Sequence, residues 1–140
     1  MRKFEDSLPL QLLKARETTM LFFRPLLHEN AITEQQWRVL RALHTYCELD
    51  SKELAKRCCI LSPSLTGILK RLEQQNYIQR RKPDDDQRCS LISLTEKATA
   101  LFQRLSPQVE AHYNEFIKRY SEKKLNQLMS MLKELSQLTP

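Results

Sequence analysis

The residues best suited to contact a polyanion lie on one face of a short helical pattern. Leu65, Leu69 and Leu72 recur at spacings of three and four, so residues 62–73 are predicted to form a helix with one apolar face. The other face carries hydroxyls, the only glycine of the chain and two cations, namely Ser62, Ser64, Thr66, Gly67, Lys70 and Arg71. Side chains of these types hydrogen-bond to phosphate oxygens and base edges. The helix alone also fits a solvated amphipathic element, so its function depends on its neighbours.

A second group of cations follows in a predicted β-hairpin. Residues 77–82 and 89–94 are short, partly alternating runs, and the segment between them, with a proline and three aspartates, has the composition of a turn. The hairpin carries Arg80, Arg81, Lys82 and Arg88. We expect Asp86 at the tip to hold Arg88 in an extended pose through a carboxylate pair. An arginine held there suits the negative potential of a narrow minor groove.

The elements that position these residues are two helices and the hairpin. Residues 51–57 are predicted to form the first helix, with Ser51 as its cap, and residues 58–61 a short connection. Ser62 is predicted to cap the second helix, with Pro63 at its first position. A helix pair followed by a hairpin is a winged helix-turn-helix, in which the second helix enters the major groove of DNA.

The chain resembles the MarR family of winged-helix regulators. The tip Asp86-Gln87-Arg88 matches the family's Asp-x-Arg, and residues 94–98 are similar to its Leu-Thr-x-x-Gly segment, with Ala98 in place of glycine. Residues 13–17, 22–26, 33–38 and 59–69 are similar to one branch, whose members repress operons for the degradation of aromatic acids such as homoprotocatechuate and 4-hydroxyphenylacetate. The resemblance implies a ligand-responsive repressor that a small aromatic carboxylate releases from a pseudo-palindromic, double-stranded DNA operator.

The implied architecture is mainly α with a small β-wing. We expect a single MarR-type domain over residues 1–140, with a winged helix-turn-helix lobe at about 33–96. Dimerisation helices are expected at about 7–30 and 100–138. Within the latter, Leu125, Leu128 and Leu132 belong to a narrow seam too apolar for solvent, which together with the first helix predicts a homodimer interface. The alternative explanation of the seam is packing inside the monomer.

Two further helical patterns place a cation beside an apolar or aromatic wall. Residues 8–24 are predicted to form a long helix that Pro25 ends or kinks near Arg24, with Arg16, Met20 and Phe23 on its apolar stripe. Thr33 opens a capping box for a helix to about Tyr46, along which Trp37 and Arg41 share a face. Each pattern alone also fits core packing or a surface arginine. Together they predict an effector site of five residues, namely Arg16, Met20, Phe23, Trp37 and Arg41.

Charge and composition limit the classes of function that the chain could have. Of the net charge of +6, residues 51–90 carry +4, with 9 cations and 5 anions, so the basic excess coincides with the predicted DNA-binding segment. No apolar run is long enough to span a bilayer and no signal peptide is evident, which predicts a soluble, cytoplasmic protein without membrane contact. The histidines are scattered and no metal or phosphate-loop motif occurs, so we expect no enzyme, no metal and no cofactor.

The four cysteines leave one alternative open. They lack the spacing of a zinc site, and the adjacent Cys58 and Cys59 fit small buried residues of a turn. A redox-sensing repressor of the same family would instead need an accessible thiolate of low pKa at one of them.

Overall fold

A computed structural model describes residues 1–140, which divide into two compact units. One unit comprises residues 26–107, and the other combines residues 1–25 with residues 108–140. After a short 3₁₀ turn at Phe4–Asp6, the first elements are α1 (Leu8–Met20), α2 (Arg24–Glu29), α3 (Glu34–Tyr46), β1 (Glu48–Asp50) and α4 (Ser51–Cys58). The remaining elements are α5 (Ser62–Gln74), β2 (Ile78–Arg81), β3 (Leu91–Leu94), α6 (Glu96–Tyr120) and α7 (Glu122–Leu135). The mainly α fold with a small wing is confirmed.

The core of the unit formed by residues 26–107 is built from leucines at helical spacing. The predicted stripe of α5 is confirmed, because Leu65, Leu69 and Leu72 are fully buried while Ile68 is half-buried. Leu40 and Leu54 are also fully buried, on α3 and α4. Removing such side chains from water is the main stabilising contribution to a small domain, and here it orients α5 with its polar face outward.

The wing belongs to a three-stranded antiparallel sheet of order β1-β3-β2. The hairpin predicted from the two short runs is present, with Ile78 opposite Leu94 and Arg81 opposite Leu91. The third strand, β1, was not predicted; it pairs Leu49 with Ile92 on the other side of β3. Central placement leaves Ile92 fully buried, and the added strand anchors the hairpin to the chain between α3 and α4.

Helix starts agree with the sequence in part. The capping box is confirmed: Thr33 Oγ1 accepts from the Gln36 amide, and the Thr33 amide donates to Gln36 Oε1, both at 3.0 Å. The Ser51 cap was wrong, because Asp50 is the N-cap of α4 and its Oδ1 accepts from the Glu53 amide at 2.7 Å.

The second predicted cap was also wrong. Ser62 already lies inside α5, which begins after Leu61 without a side-chain cap, and Pro63 occupies its first turn. Ala98, which replaces the usual family glycine, is buried in the first turn of α6 and has no left-handed backbone. Its amide donates to Thr95 Oγ1 at 3.2 Å, so a glycine is not needed there.

In the other unit, the predicted long first helix is interrupted. Helix α1 ends at Met20, and a turn at residues 21–23 precedes α2, with Pro25 in the first turn of the new helix. Proline is tolerated there because the first-turn amide has no helical partner, so the break falls before Arg24 and not at it. Helix α7 begins after Ser121, which caps it by accepting from the Lys124 amide at 3.3 Å.

No helix is both long enough and apolar enough to cross a membrane.

Candidate DNA-binding surface

The polar face of α5 is fully presented to solvent. Its six candidate residues, Ser62, Ser64, Thr66, Gly67, Lys70 and Arg71, are all exposed, while the leucine stripe of the same helix is buried. One hydroxyl is engaged locally, because Thr66 Oγ1 donates to the Ser62 carbonyl at 3.1 Å. The helix therefore offers hydroxyl and cationic groups to a ligand outside the protein.

The wing cations are in two different states. Arg80 Nε lies 2.7 Å from Glu73 Oε2, and Arg81 Nε lies 2.6 Å from Glu48 Oε1. These pairs tie the end of β2 to α5 and to β1. The exposed Lys82 and Arg88 form no ion pair, so no carboxylate of the protein offsets their charges.

Asp86 acts on Arg88 differently from the sequence expectation. Its Oδ1 accepts a hydrogen bond from the backbone amide of Arg88 at 3.0 Å, and no carboxylate pair with the guanidinium forms. The aspartate thus fixes the turn of the wing tip, as aspartates often do two residues before the amide they bind. The guanidinium of Arg88 is left for an external partner.

Two lysines of α4 were missed by the sequence analysis. Lys52 and Lys56 line an open depression of about 500 Å³ together with Ser62 at the start of α5. Their spacing of four on one helix face was a usable signal, and both are exposed. They extend the basic surface from α5 onto the preceding helix.

Of the five candidate effector residues, three lie in the unit of residues 1–25 and 108–140. Arg16 is exposed and lies 3.6 Å from Glu17, which also pairs with Arg24 at 2.8 Å. Met20 is half-buried. Phe23 is half-buried and contacts Tyr113, with ring centroids 6.0 Å apart.

The other two candidates, Trp37 and Arg41, lie on α3 in the unit of residues 26–107. Trp37 is buried and stacks on Phe102 with centroids 5.2 Å apart, and His44 stacks on the same ring at 3.9 Å. Arg41, one turn from Trp37, is exposed. The contact with Phe102 was not predictable, because no spacing along the chain connects a residue of α6 with one of α3.

Burial makes Cys58 a poor candidate for redox sensing. Cys58 is buried, and this burial raises the pKa of its thiol despite the opposing charge of Arg38. A raised pKa keeps the sulfur protonated and unreactive. Cys59 is exposed and ends α4 in the left-handed conformation.

Helices α4 and α5 pack against the core, α5 presents a polar, cationic face to solvent, and a basic hairpin follows it. This arrangement defines a winged helix-turn-helix DNA-binding protein. The model of the MarR family matches residues 32–90. The homoprotocatechuate degradative operon repressor of Escherichia coli is 44% identical over 129 residues, which cover 92% of this chain and 87% of the relative. The chain therefore belongs to the MarR family of transcription regulators.

Two solved structures extend the similarity to the whole fold. The transcriptional regulator PA4135 superimposes with a TM-score of 0.91 at 46% identity, covering 96% of this chain and 98% of the other. NadR in complex with 4-hydroxyphenylacetate gives a TM-score of 0.84 at 37% identity and covers 99% of both chains.

Proposed function

We propose that this protein is a homodimeric repressor of an operon for aromatic-acid catabolism, and that a 4-hydroxyphenylacetate-type acid releases it from its operator. The observation that carries the proposal is the exposed face of α5 beside two unpaired wing cations, in a chain that belongs to the MarR family. The similarity to the homoprotocatechuate repressor and to NadR supports the class of regulated genes and of effector. A repressor of this type acts in the cytoplasm.

The proposed contacts with DNA divide between two grooves. Ser62, Ser64, Thr66 and Lys70 meet the major groove and its phosphates, with Gly67 and Arg71 on the same helix. Arg88 enters the minor groove, and Lys82 neutralises a nearby phosphate. Arg80 and Arg81 lie beside them, but their carboxylate partners reduce what they offer to a phosphate. Two symmetric copies would place two α5 helices in successive major grooves.

Effector release requires different affinities of the ligand for the two states of the protein. A ligand that binds the DNA-competent and the free conformations equally well shifts nothing, whatever its affinity. We propose Arg16 and Arg41, which lie in different units, as alternative partners of the carboxylate, and Met20, Phe23 and Trp37 as candidates for contact with the ring. Arginine suits this role because its guanidinium binds a carboxylate through two parallel hydrogen bonds.

The function is tested with a duplex that the wild-type protein selects from random sequences. Fluorescence anisotropy should show tight, salt-dependent binding, and 4-hydroxyphenylacetate should weaken it. The matched control is 4-hydroxyphenylacetamide, which keeps the ring and removes the charge, and which should leave binding unchanged. Failure to select any duplex would refute DNA binding, whereas selection without an acid-specific response would refute only the effector class.

The effector residues are tested by Arg16→Ala and Arg41→Ala. The variant that lacks the carboxylate-binding arginine should lose most of the response to 4-hydroxyphenylacetate. Its operator affinity without ligand should stay the same. Lys118→Ala, an exposed cation of α6, is the matched control. A full response in both variants would show that other residues bind the carboxylate.

A further inference from the structure

An open depression beside Gly67 is not explained by the packing of the protein. It has a volume of about 250 Å³ and lies between the start of α3 and one side of α5. Its lining includes Gln35 from α3 and the stripe Ser64, Gly67 and Arg71 from α5, at spacings of three and four. Ser62, Thr66 and Lys70 lie on a separate stripe of α5.

Gly67 is the only glycine in 140 residues, and nothing inside the protein requires it. Its backbone is not left-handed, and a Cβ built there meets no atom within 4 Å. Glycine in a helix interior is destabilising relative to alanine, because it loses more conformational freedom on folding. The missing side chain therefore leaves room for something outside the chain.

The depression is lined by polar residues and by Ile68, and it lacks acidic residues. The side chains of Gln35, Ser64 and Arg71 are exposed and form no hydrogen bond or ion pair within the protein. Gln36 is different, since it is buried and its amide group is used by the capping box and by Gln75. Three unengaged donors, one of them a guanidinium, thus line a depression in which Gly67 leaves space.

We propose that this depression is a seat for one phosphate of the operator backbone, bound by Arg71, Gln35 and Ser64 and kept open by Gly67. The proposal rests on the DNA-binding function proposed above and adds Gln35, on the helix that precedes the α4–α5 pair, as a DNA contact. Guanidinium, amide and hydroxyl groups are the usual partners of phosphate oxygens, and such contacts set the register of a protein on the duplex. A helix in the major groove faces the bases with one stripe and the strand backbone with its flank.

The first test separates stability from binding. Gly67→Ala should raise the Tm slightly, because alanine favours the helix and meets no atom there. The same variant should weaken binding to the selected duplex by about tenfold, because its methyl group occupies the seat. Gln35→Ala should weaken binding several-fold with unchanged sequence preference, and Gln103→Ala, an exposed glutamine of α6, should bind like the wild type.

The second test locates the phosphate. Duplexes that carry a single neutral methylphosphonate are scanned through one half-site against the wild type and Gln35→Ala. A methylphosphonate at one position should lower the affinity of the wild type several-fold. The same substitution should lower the affinity of Gln35→Ala almost no further, because the methylphosphonate and the variant remove the same contact. Additive losses at every position, or a Gly67→Ala variant that binds like the wild type, would overturn the seat.

The two proposals fail in different ways. If the wild type selects no duplex, DNA binding itself is refuted, and the phosphate seat with it. If the wild type binds and responds to salt while Gln35→Ala and Gly67→Ala are indistinguishable from it, only the seat is refuted.

Discussion

Cys58 and Cys59 are adjacent in sequence but have opposite surroundings. Cys58 is 2% exposed and its pKa is raised by burial, whereas Cys59 is exposed at the end of α4. We expect iodoacetamide at pH 8 to label Cys59 at least about ten times faster than Cys58, because only the accessible thiolate reacts. Mass spectrometry of timed samples measures both rates. Equal labelling is expected only in denaturant, and equal labelling of the native protein would contradict the burial.

Arg88 provides the second test at the scale of single residues. Its amide is fixed by Asp86, and its guanidinium has no ion pair. Arg88→Ala should weaken operator binding and reduce the slope of log K against log salt by about 1, because one cation near the phosphates is lost.

Lys118→Ala removes the same charge from α6 and serves as the control, with an unchanged slope expected. An Arg88→Ala variant that kept the wild-type slope would exclude the guanidinium from the groove and the phosphates.

At the scale of elements, one side chain connects a strand with a helix. Asp50 ends β1, whose partner there is Leu91, and it also caps α4 through the Glu53 amide. Asp50→Ala should lower the free energy of unfolding by about 1 kcal/mol, because the loss of an N-cap leaves a helix amide unsatisfied. Urea unfolding followed by circular dichroism measures the change.

Ser51→Ala is the matched control, because Ser51 is exposed in the first turn and caps nothing. It should be nearly neutral. The reverse order, with Ser51→Ala the more damaging change, would show that the cap lies one residue later.

At the scale of the whole molecule, an exposed apolar groove predicts that a second copy of the chain packs against it. Residues of α1 and α7 line a groove of about 430 Å³, namely Leu8, Leu12, Leu128, Met131, Leu132, Glu134, Leu135 and Leu138, the last lying just beyond α7. Met131 is 67% exposed, so Met131→Glu should leave the fold of one chain intact and disrupt the dimer. Sedimentation equilibrium should show mostly monomer, with a parallel loss of operator binding.

Lys133→Glu reverses a charge on the same helix outside the groove and should remain dimeric. A Met131→Glu protein that remained a dimer and bound DNA normally would place the interface elsewhere.

Patterns within a few residues of the chain determined much of this protein. The leucine spacing of α5, the capping box at Thr33 and the turn composition before Arg88 each predicted an element that is present. These signals are local because a helix or a hairpin repeats every two to four residues, within reach of neighbouring side chains. The polar face of α5 followed directly from the same periodicity.

Tertiary structure decided what depends on residues far apart in sequence. Strand β1 exists because it pairs with β3, and Arg80 and Arg81 are neutralised by acids on other elements. The Phe102 ring on Trp37 and the open depression that brings Gln35 beside Arg71 also join distant segments. No spacing along the chain encodes such contacts, because they are selected by the packing of the completed core and not by the nearest neighbours of each residue.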